Sequence, residues 1–302
     1  MYKRIVHIIL ATCTGALAAW QLFGCESAPN STSQTGANDP RSLTAMISVD
    51  GSTTMISLIQ AWTQAFKKQN PEVPISVTSD DSGGGIASLI NRTTDLAASS
   101  RELTPEETKL AHSKGIRLKR YTVARDAVAC IVNPKNKVPG LTLEQLEKIY
   151  TGEINDWQEV GGPKSLPIVR LTREQASGTH TFFQEHVLHG KDCCKTAQIA
   201  SSADQVIEKV EKEPAAIGYV GLGHALQAHD KVEIVPLKLV ATSEATTPSS
   251  TSSIGDYPLS RPLLLFSDEQ PKESVRRFVD FCLSDQGQRL VPETGYIGVH
   301  AK

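Results

Sequence analysis

Three short segments join hydroxyl side chains to glycine: Gly51-Ser52-Thr53-Thr54, Ser82-Gly83-Gly84-Gly85 and Ser177-Gly178-Thr179. Each stands where a run of β-forming residues gives way to a helical pattern. A helix start exposes unpaired N–H donors and about half a positive charge, so each segment can hold an anion without contributing formal charge. Glycine lets the backbone approach such a ligand closely. A single segment of this kind is commonly a simple helix cap, whereas three of them after strands point to a shared ligand. Arg173 lies just before Ser177, at the carboxyl end of a strand, where open α/β sheets place ligands. Its planar fork matches an oxyanion; the alternative reading is a solvated surface arginine.

Other chemistries are less well supported. Asp81-Ser82-Gly83-Gly84 mimics the surroundings of a trypsin-like serine nucleophile, but that fold is all-β, and here a helix follows the glycines. Ala111-His112-Ser113 is a poor setting for the required base, so a serine hydrolase is the remote alternative. No Gly-x-x-x-x-Gly-Lys-Ser/Thr phosphate loop is present. His186, His189, Cys193 and Cys194 offer imidazole and thiolate, yet their spacing matches no established zinc pattern, so neither a metal nor a cofactor is expected. The vicinal Cys193-Cys194 pair reads instead as a disulfide or as free thiols on a surface loop.

The elements that must position these residues alternate in type. Strands are predicted at Met46 to Asp50, Ile75 to Thr78, Asp95 to Ser99, Ala127 to Val132, Pro167 to Leu171, Ala216 to Val220 and Arg261 to Phe266. Helices are predicted at Met55 to Gln69, Ile86 to about Arg92, from Thr104-Pro105-Glu106-Glu107 onward, from Thr142 to about Tyr150, and at His180 to His189, Asp204 to Glu213 and Glu273 to Leu283. A last helical turn is expected over Gln286 to Val291, and an exposed loop over the Ser- and Thr-rich Ala241 to Ser253. This is the signature of βα units around mainly parallel sheets.

The chain has 302 residues, 39% hydrophobic and 21% charged, which fits a folded protein of two domains and excludes general disorder. Its 31 Lys and Arg against 33 Asp and Glu argue against nucleic-acid binding, which normally needs a basic face. Lys3 and Arg4 precede an apolar run to Trp20, the profile of a signal peptide. It ends at Leu22-Phe23-Gly24-Cys25, which resembles a bacterial lipobox with Cys25 as the acylated residue. A plain amino-terminal anchor and an ordinary signal cleaved near Ala18-Ala19 are the alternatives. Residues 1–24 are then a signal and residues 25–42 a flexible tether. Nothing later in the chain reads as a bilayer span. Export permits disulfides among Cys130, Cys193, Cys194 and Cys282.

Taken in order, the segments form a recognisable series. They are Gly51-Ser52-Thr53-Thr54, Asp81-Ser82-Gly83-Gly84-Gly85-Ile86, Asp95-Leu96-Ala97-Ala98-Ser99-Ser100-Arg101-Glu102-Leu103, Ile131-Val132-Asn133-Pro134, Tyr150-Thr151-Gly152-Glu153-Ile154-Asn155-Asp156-Trp157, Arg173-Glu174-Gln175-Ala176-Ser177-Gly178-Thr179, Ile217-Gly218-Tyr219-Val220 and Tyr257-Pro258-Leu259-Ser260-Arg261-Pro262. From about Ile47 to Val299 this series resembles the substrate-binding lipoproteins of phosphate ABC transporters.

The resemblance implies the two-lobed α/β fold of periplasmic binding proteins, with two extended crossovers and one dehydrated phosphate between the lobes. One lobe would be residues 43–124 plus 257–302, the other residues 125–256. Ligand contacts would fall on Thr53 and the Thr54 amide, Ser82, Ser100, Arg173, Ser177, Gly178 and Thr179, with Ser52 and Arg101 as additions. It further implies a non-catalytic, monomeric, exported lipoprotein, periplasmic or at the cell surface. Such a protein delivers inorganic phosphate to an ABC permease and meets the membrane only through its lipid. A sensor, an adhesin or a receptor for another oxyanion such as sulfate or a molybdate-like ion would share the fold. Two positions depart from the common family pattern: Ser100 stands where many members carry an Asp, and Gln175 where an acidic partner for the arginine is common. Asp81 or Glu102 is the candidate to replace the first, Glu174 the second.

Overall fold

The computed structural model describes residues 46–240, 243–248 and 257–299. The expected signal segment, Cys25, the tether and most of the Ser- and Thr-rich loop lie outside the described residues.

The first half of the sheet is built from β1 (Ile47–Gly51), β2 (Ile75–Val77) and β3 (Leu96–Ser99), paired in parallel with β1 in the middle. Between them run α1 (Ile56–Gln69), which buries Leu58, Ile59, Trp62 and Phe66 on one face, and α2 (Ser82–Ile90). After β3 comes α3 (Pro105–Ser113), started by a capping box in which Thr104 accepts the Glu107 amide hydrogen and Glu107 reaches back to Thr104.

The chain then enters β4 (Leu118–Val132), a strand of 15 residues. It had been expected to begin only at Ala127, because its first residues carry exposed Lys119 and Arg120 and show no continuous apolar run. Next come β5 (Leu141–Thr142), α4 (Leu143–Thr151) with a Thr142–Gln145 capping box, β6 (Val169–Arg173), α5 (Gly178–His186), β7 (Gln198–Ala200), α6 (Ala203–Lys212), β8 (Ala216–Gly221) and α7 (Leu222–Gln227). Short β9 (Glu233–Ile234) and β10 (Leu237–Lys238) precede β11 (Ser260–Asp268), α8 (Glu273–Leu283) and α9 (Asp285–Arg289).

The main sheet has nine strands in the order β2-β1-β3-β11-β4-β8-β6-β7, with β9 beside β4. Both ends are parallel, as expected, but the middle is antiparallel, because β11 pairs antiparallel with β3 and with β4, and β4 with β8. Thus β4 and β11 are the two long strands that link the halves. The buried side chains follow the same division. One core gathers Ile47 to Ala124 with Leu263 to Tyr296, while another gathers Ala127 to Leu237 with Tyr257 and Leu259. Two smaller clusters complete the halves, around Ile86 and Phe266 in the first and around Val206 and Val220 in the second. The architecture is the two-lobed α/β fold of periplasmic binding proteins. Among the described residues no helix is long and apolar enough to cross a membrane.

One expectation changes with a consequence for the site. The glycines after Ser82 are not a turn before a helix at Ile86, since α2 already begins at Ser82. Gly85 makes this possible: a Cβ there would lie 2.5 Å from Gly51 Cα and 2.6 Å from Asp50 O, so only glycine lets the helix start rest directly on β1.

Candidate functional site

Each of the three hydroxyl-rich segments follows a strand end and opens a helix. After β1, a single 3-10 turn over Thr53–Met55 leads into α1. Thr54 is buried, and Tyr296 Oη donates to its carbonyl. Ser52 is also buried, with its amide bonded to Ala98 O at 3.0 Å, while Thr53 is half-buried. In the other half of the molecule, Ser177 caps α5 by accepting the His180 amide hydrogen. The amides of Gly178 and Thr179 stand in the first turn of that helix, where no helical carbonyl can reach them.

The two halves meet at these points. Thr54 Oγ1 and Thr179 Oγ1 are 3.1 Å apart. Ser82 and Ser100, both fully buried, are joined through the Ser100 amide and Ser82 Oγ at 3.2 Å, and their hydroxyls lie 3.5 Å apart. Gly178 faces both: a Cβ on it would come within 2.2 Å of Ser82 Oγ and 2.6 Å of Ser100 Oγ. Gly83 N–H donates to Ala176 O at 3.1 Å. Hydroxyls and free amides from both halves therefore converge on one buried point. Two surface grooves, of about 430 Å³ between α6 and α7 and about 420 Å³ beside α8, include none of these residues. The donors stand in a closed seam.

Arg173 ends β6 beside this point. Its Nε donates to Ala200 O at 3.1 Å, and Nη2 to Ser201 O at 3.0 Å and Asp81 Oδ1 at 2.9 Å. Its Nη1 has no acceptor among the described residues. Burial lowers the guanidinium from its ordinary value against the opposing pull of Asp81, and burial raises the Asp81 carboxyl against the opposing pull of Arg173. Glu174, the expected partner, is exposed; Asp81 reaches across from the start of α2 instead. Glu102 is exposed as well and pairs with Arg120 at 2.6 Å. Arg101 is buried; its fork bonds both oxygens of Glu107 at 2.7 Å and so braces the capping box of α3, while its Nε has no partner among the described residues.

Under Arg173 lies a buried polar network. Tyr219 Oη is 2.7 Å from Thr172 Oγ1 and 3.1 Å from His180 Nδ1, and it accepts the Arg173 amide hydrogen at 3.4 Å. Burial pushes His180 below its ordinary value, with Asp192 opposing, which favours the neutral ring.

Sequence reasoning missed two site residues. Arg261 and Asp126 are fully buried, directly paired across β11 and β4, and bonded at 2.8 Å. Arg261 Nη1 donates to Thr179 Oγ1 at 3.1 Å, and Nη2 to Thr54 Oγ1 at 3.4 Å. The available signal was a charged residue at the edge of an apolar run in each strand, Asp126 before Ala127–Val132 and Arg261 before Leu263–Phe266, which requires a partner once buried.

Other candidate chemistry disperses. Ser82 Oγ bonds only Ser100, with no imidazole in reach among the described residues. Among the described residues no group of three or more His, Cys, Asp or Glu could hold a metal ion. His186 stacks on Phe182, Cys193 Sγ donates to Thr172 Oγ1, and Cys194 Sγ contacts Thr196 Oγ1. All four described cysteines are free thiols. Cys193 and Cys194 are half-buried rather than on an open surface loop, and burial pushes the Cys130 thiol up to about 12.

A model of the PBP superfamily domain matches residues 27–286. The Phosphate-binding protein PstS of Staphylococcus saprophyticus is 30% identical over 301 residues, covering 94% of this chain and 91% of the relative. The Phosphate-binding protein PstS of Borreliella burgdorferi is 30% identical over 264 residues, covering 84% and 90%. Among solved structures, a phosphate ABC transporter substrate-binding protein with bound phosphate from Clostridium perfringens superposes with a TM-score of 0.75 at 33% identity, covering 84% of this chain and 99% of that one. An ABC-type phosphate transport receptor from Vibrio cholerae gives 0.66 at 29% identity, covering 83% and 99%. Fold, order of segments and overall likeness agree: this chain belongs to the PBP superfamily and, within it, to the family of the phosphate-binding protein PstS.

Proposed function

We propose that this chain is the substrate-binding protein of a phosphate ABC transporter, which takes inorganic phosphate between its lobes and hands it to the permease. The observation that carries this reading is the convergence on one buried point of Thr54, Ser82 and Ser100 from one half with Arg173, Ser177, Gly178 and Thr179 from the other. Ser52 and Thr53 belong to the first of these turns and complete the proposed contact set, with Arg101, whose Nε is buried without a partner among the described residues, as an addition.

The physical case rests on donor number. Dehydrating an oxyanion in an apolar interior costs tens of kcal/mol, roughly, by ideal solvation. A charge-assisted hydrogen bond returns roughly 1.5–3 kcal/mol, so on the order of ten donors are needed. The hydroxyls, the free amides of the helix starts and the unpaired Nη1 of Arg173 supply donors of that kind. Lobe closure removes water and strengthens each of them. The lobes we assign are residues 43–124 with 257–302 and residues 125–256, hinged where β4 and β11 pass from one core to the other.

In this reading binding is reversible and non-catalytic, in keeping with Ser82 Oγ, which bonds Ser100 and has no imidazole in reach among the described residues. The protein is exported as a monomer, held to the periplasmic or cell surface by lipid on Cys25, and meets neither nucleic acid nor any cofactor. Ser100, in place of the Asp common in the family, leaves no carboxylate at that position to reject fully ionised sulfate. Asp81, which faces Arg173 at 2.9 Å, is an acid beside the donors that is not fixed to a hinge strand. Calorimetry of the purified chain, stripped of bound anion and titrated with phosphate, arsenate and sulfate, tests the reading. Strong heat with phosphate and arsenate is expected. No heat with phosphate in the millimolar range sinks the proposal, and equal affinity for sulfate turns it into a general oxyanion receptor.

A further inference from the structure

The Arg261–Asp126 pair is more than a strut. Both side chains are 0% exposed. A buried ion pair is poor value for stability alone, since apolar residues of similar volume usually serve as well or better. Its location is specific: the two residues face each other on β11 and β4, the strands that cross between the lobes.

The valences of Arg261 are nearly all accounted for. Nε and Nη2 donate to Asp126 Oδ2 at 3.0 and 2.8 Å. The other Nη2 hydrogen goes to Thr54 Oγ1 and one Nη1 hydrogen to Thr179 Oγ1, so one guanidinium touches a hydroxyl from each lobe. One Nη1 hydrogen is left without an acceptor among the described residues. Asp126 is equally committed, since its Oδ1 accepts the Leu222 amide hydrogen at 3.0 Å. The guanidinium also lies 5.7 Å over the ring of Phe182 on α5. Gly221 leaves room for the cluster: a Cβ there would stand 2.9 Å from Thr54 Cγ2 and 3.0 Å from Asp126 Oδ2.

A threonine oxygen that accepts from a guanidinium must direct its own hydrogen elsewhere. With both Thr54 and Thr179 so constrained and only 3.1 Å apart, at most one can donate to the other. At least one hydroxyl hydrogen must therefore seek an acceptor in the seam. We propose that Arg261, held by Asp126, is a positioning residue of the anion site: it fixes the two threonine hydroxyls as donors, and it ties their presentation to the hinge strands on which closure turns. The pair thereby selects for a ligand that presents acceptor oxygens, while Asp126 cancels the added charge so that release is not impeded. This inference rests on phosphate binding in the seam.

The test compares the parent chain with two variants, Arg261→Met/Asp126→Leu and Arg261→Lys, by thermal melting without ligand and by phosphate calorimetry. The double variant removes the pair with packing retained, and it should melt close to the parent but lose about ten- to a hundredfold in affinity. Arg261→Lys keeps the charge and loses the fork, and it should lose about tenfold. A purely structural role predicts the opposite: lowered melting with unchanged affinity in the molecules that remain folded. Either folded variant binding phosphate within about twofold of the parent overturns the inference. If the double variant does not fold, Arg261→Lys decides. A parent that gives no heat overturns the phosphate reading itself, and this inference with it.

Discussion

Among the residues of the seam, Arg173 carries the most informative charge because it is already partnered. Asp81 neutralises it from the opposite lobe at 2.9 Å, yet Nη1 stays available. Replacing Arg173 by Ala removes a charged donor and leaves the Asp81 carboxylate facing the incoming anion. Phosphate affinity should fall by about a hundredfold or more. In Arg173→Ala/Asp81→Asn the repulsion is gone, so calorimetry should recover about tenfold of that loss. Equal affinities in the two variants would show that the Asp81 charge is not felt at the site. Thr54, Ser82, Arg173 and Ser177 to Thr179 were legible in the sequence, since hydroxyls and glycines at strand-to-helix junctions declare themselves locally. The pairings were not. Arg173 and Asp81 are 92 positions apart, and Arg261 and Asp126 are 135 apart. A charged residue in an apolar strand announces that a partner exists without saying which.

Elements whose signals are local came through well. The capping boxes at Thr104 and Thr142 start α3 and α4 where their Thr-x-x-Glu and Thr-x-x-Gln patterns place them, and α8 spans the expected Glu273–Leu283. Elements defined by their neighbours did not. The first part of β4 is half-exposed, so its identity as a strand comes from pairing with β11, and α2 begins early because glycines let it rest on β1. At α5 the same kind of close approach yields a prediction. Gly178 has ordinary helical backbone, so alanine is acceptable there and should raise melting of the ligand-free chain slightly, by up to about 1 kcal/mol of stability. A methyl at that position, however, would lie 2.2 Å from Ser82 Oγ and 2.9 Å from Ser82 Cβ on the facing lobe. Gly178→Ala should therefore fold normally and give no phosphate heat at micromolar concentrations. Small-angle scattering should show no compaction of the variant on adding phosphate, and normal binding by it would mean that the lobes do not close on Gly178.

At the scale of the whole molecule, two cores linked by β4 and β11 form a body that can open only by bending those strands. The contacts that keep it shut include Thr54 with Thr179, Arg261 with Thr179, Asp81 with Arg173, and Gly83 N–H with Ala176 O. These bonds are individually replaceable, and a bound anion adds its own to them. The near balance of charge in the chain, −2 overall, is consistent with this design, because dipoles rather than excess cations hold the ligand. Retention should then depend on closure more than on any single contact, and a covalent staple can isolate that dependence. A Cβ built on Gly83 falls 3.6 Å from Ala176 Cα, which makes this pair the natural place for a disulfide; native Cys130 and Cys282 are buried, and the half-buried Cys193 and Cys194 are replaced by serine so that they do not compete. The Gly83→Cys/Ala176→Cys chain, loaded with radiolabelled phosphate and then oxidised, should keep its ligand through dialysis at least about a hundredfold longer than when reduced. The same chain oxidised before loading should take up none, and dithiothreitol should restore exchange in both cases. Release at the same rate from oxidised and reduced protein would mean that phosphate leaves without the lobes parting, and the hinge would lose its place in the mechanism.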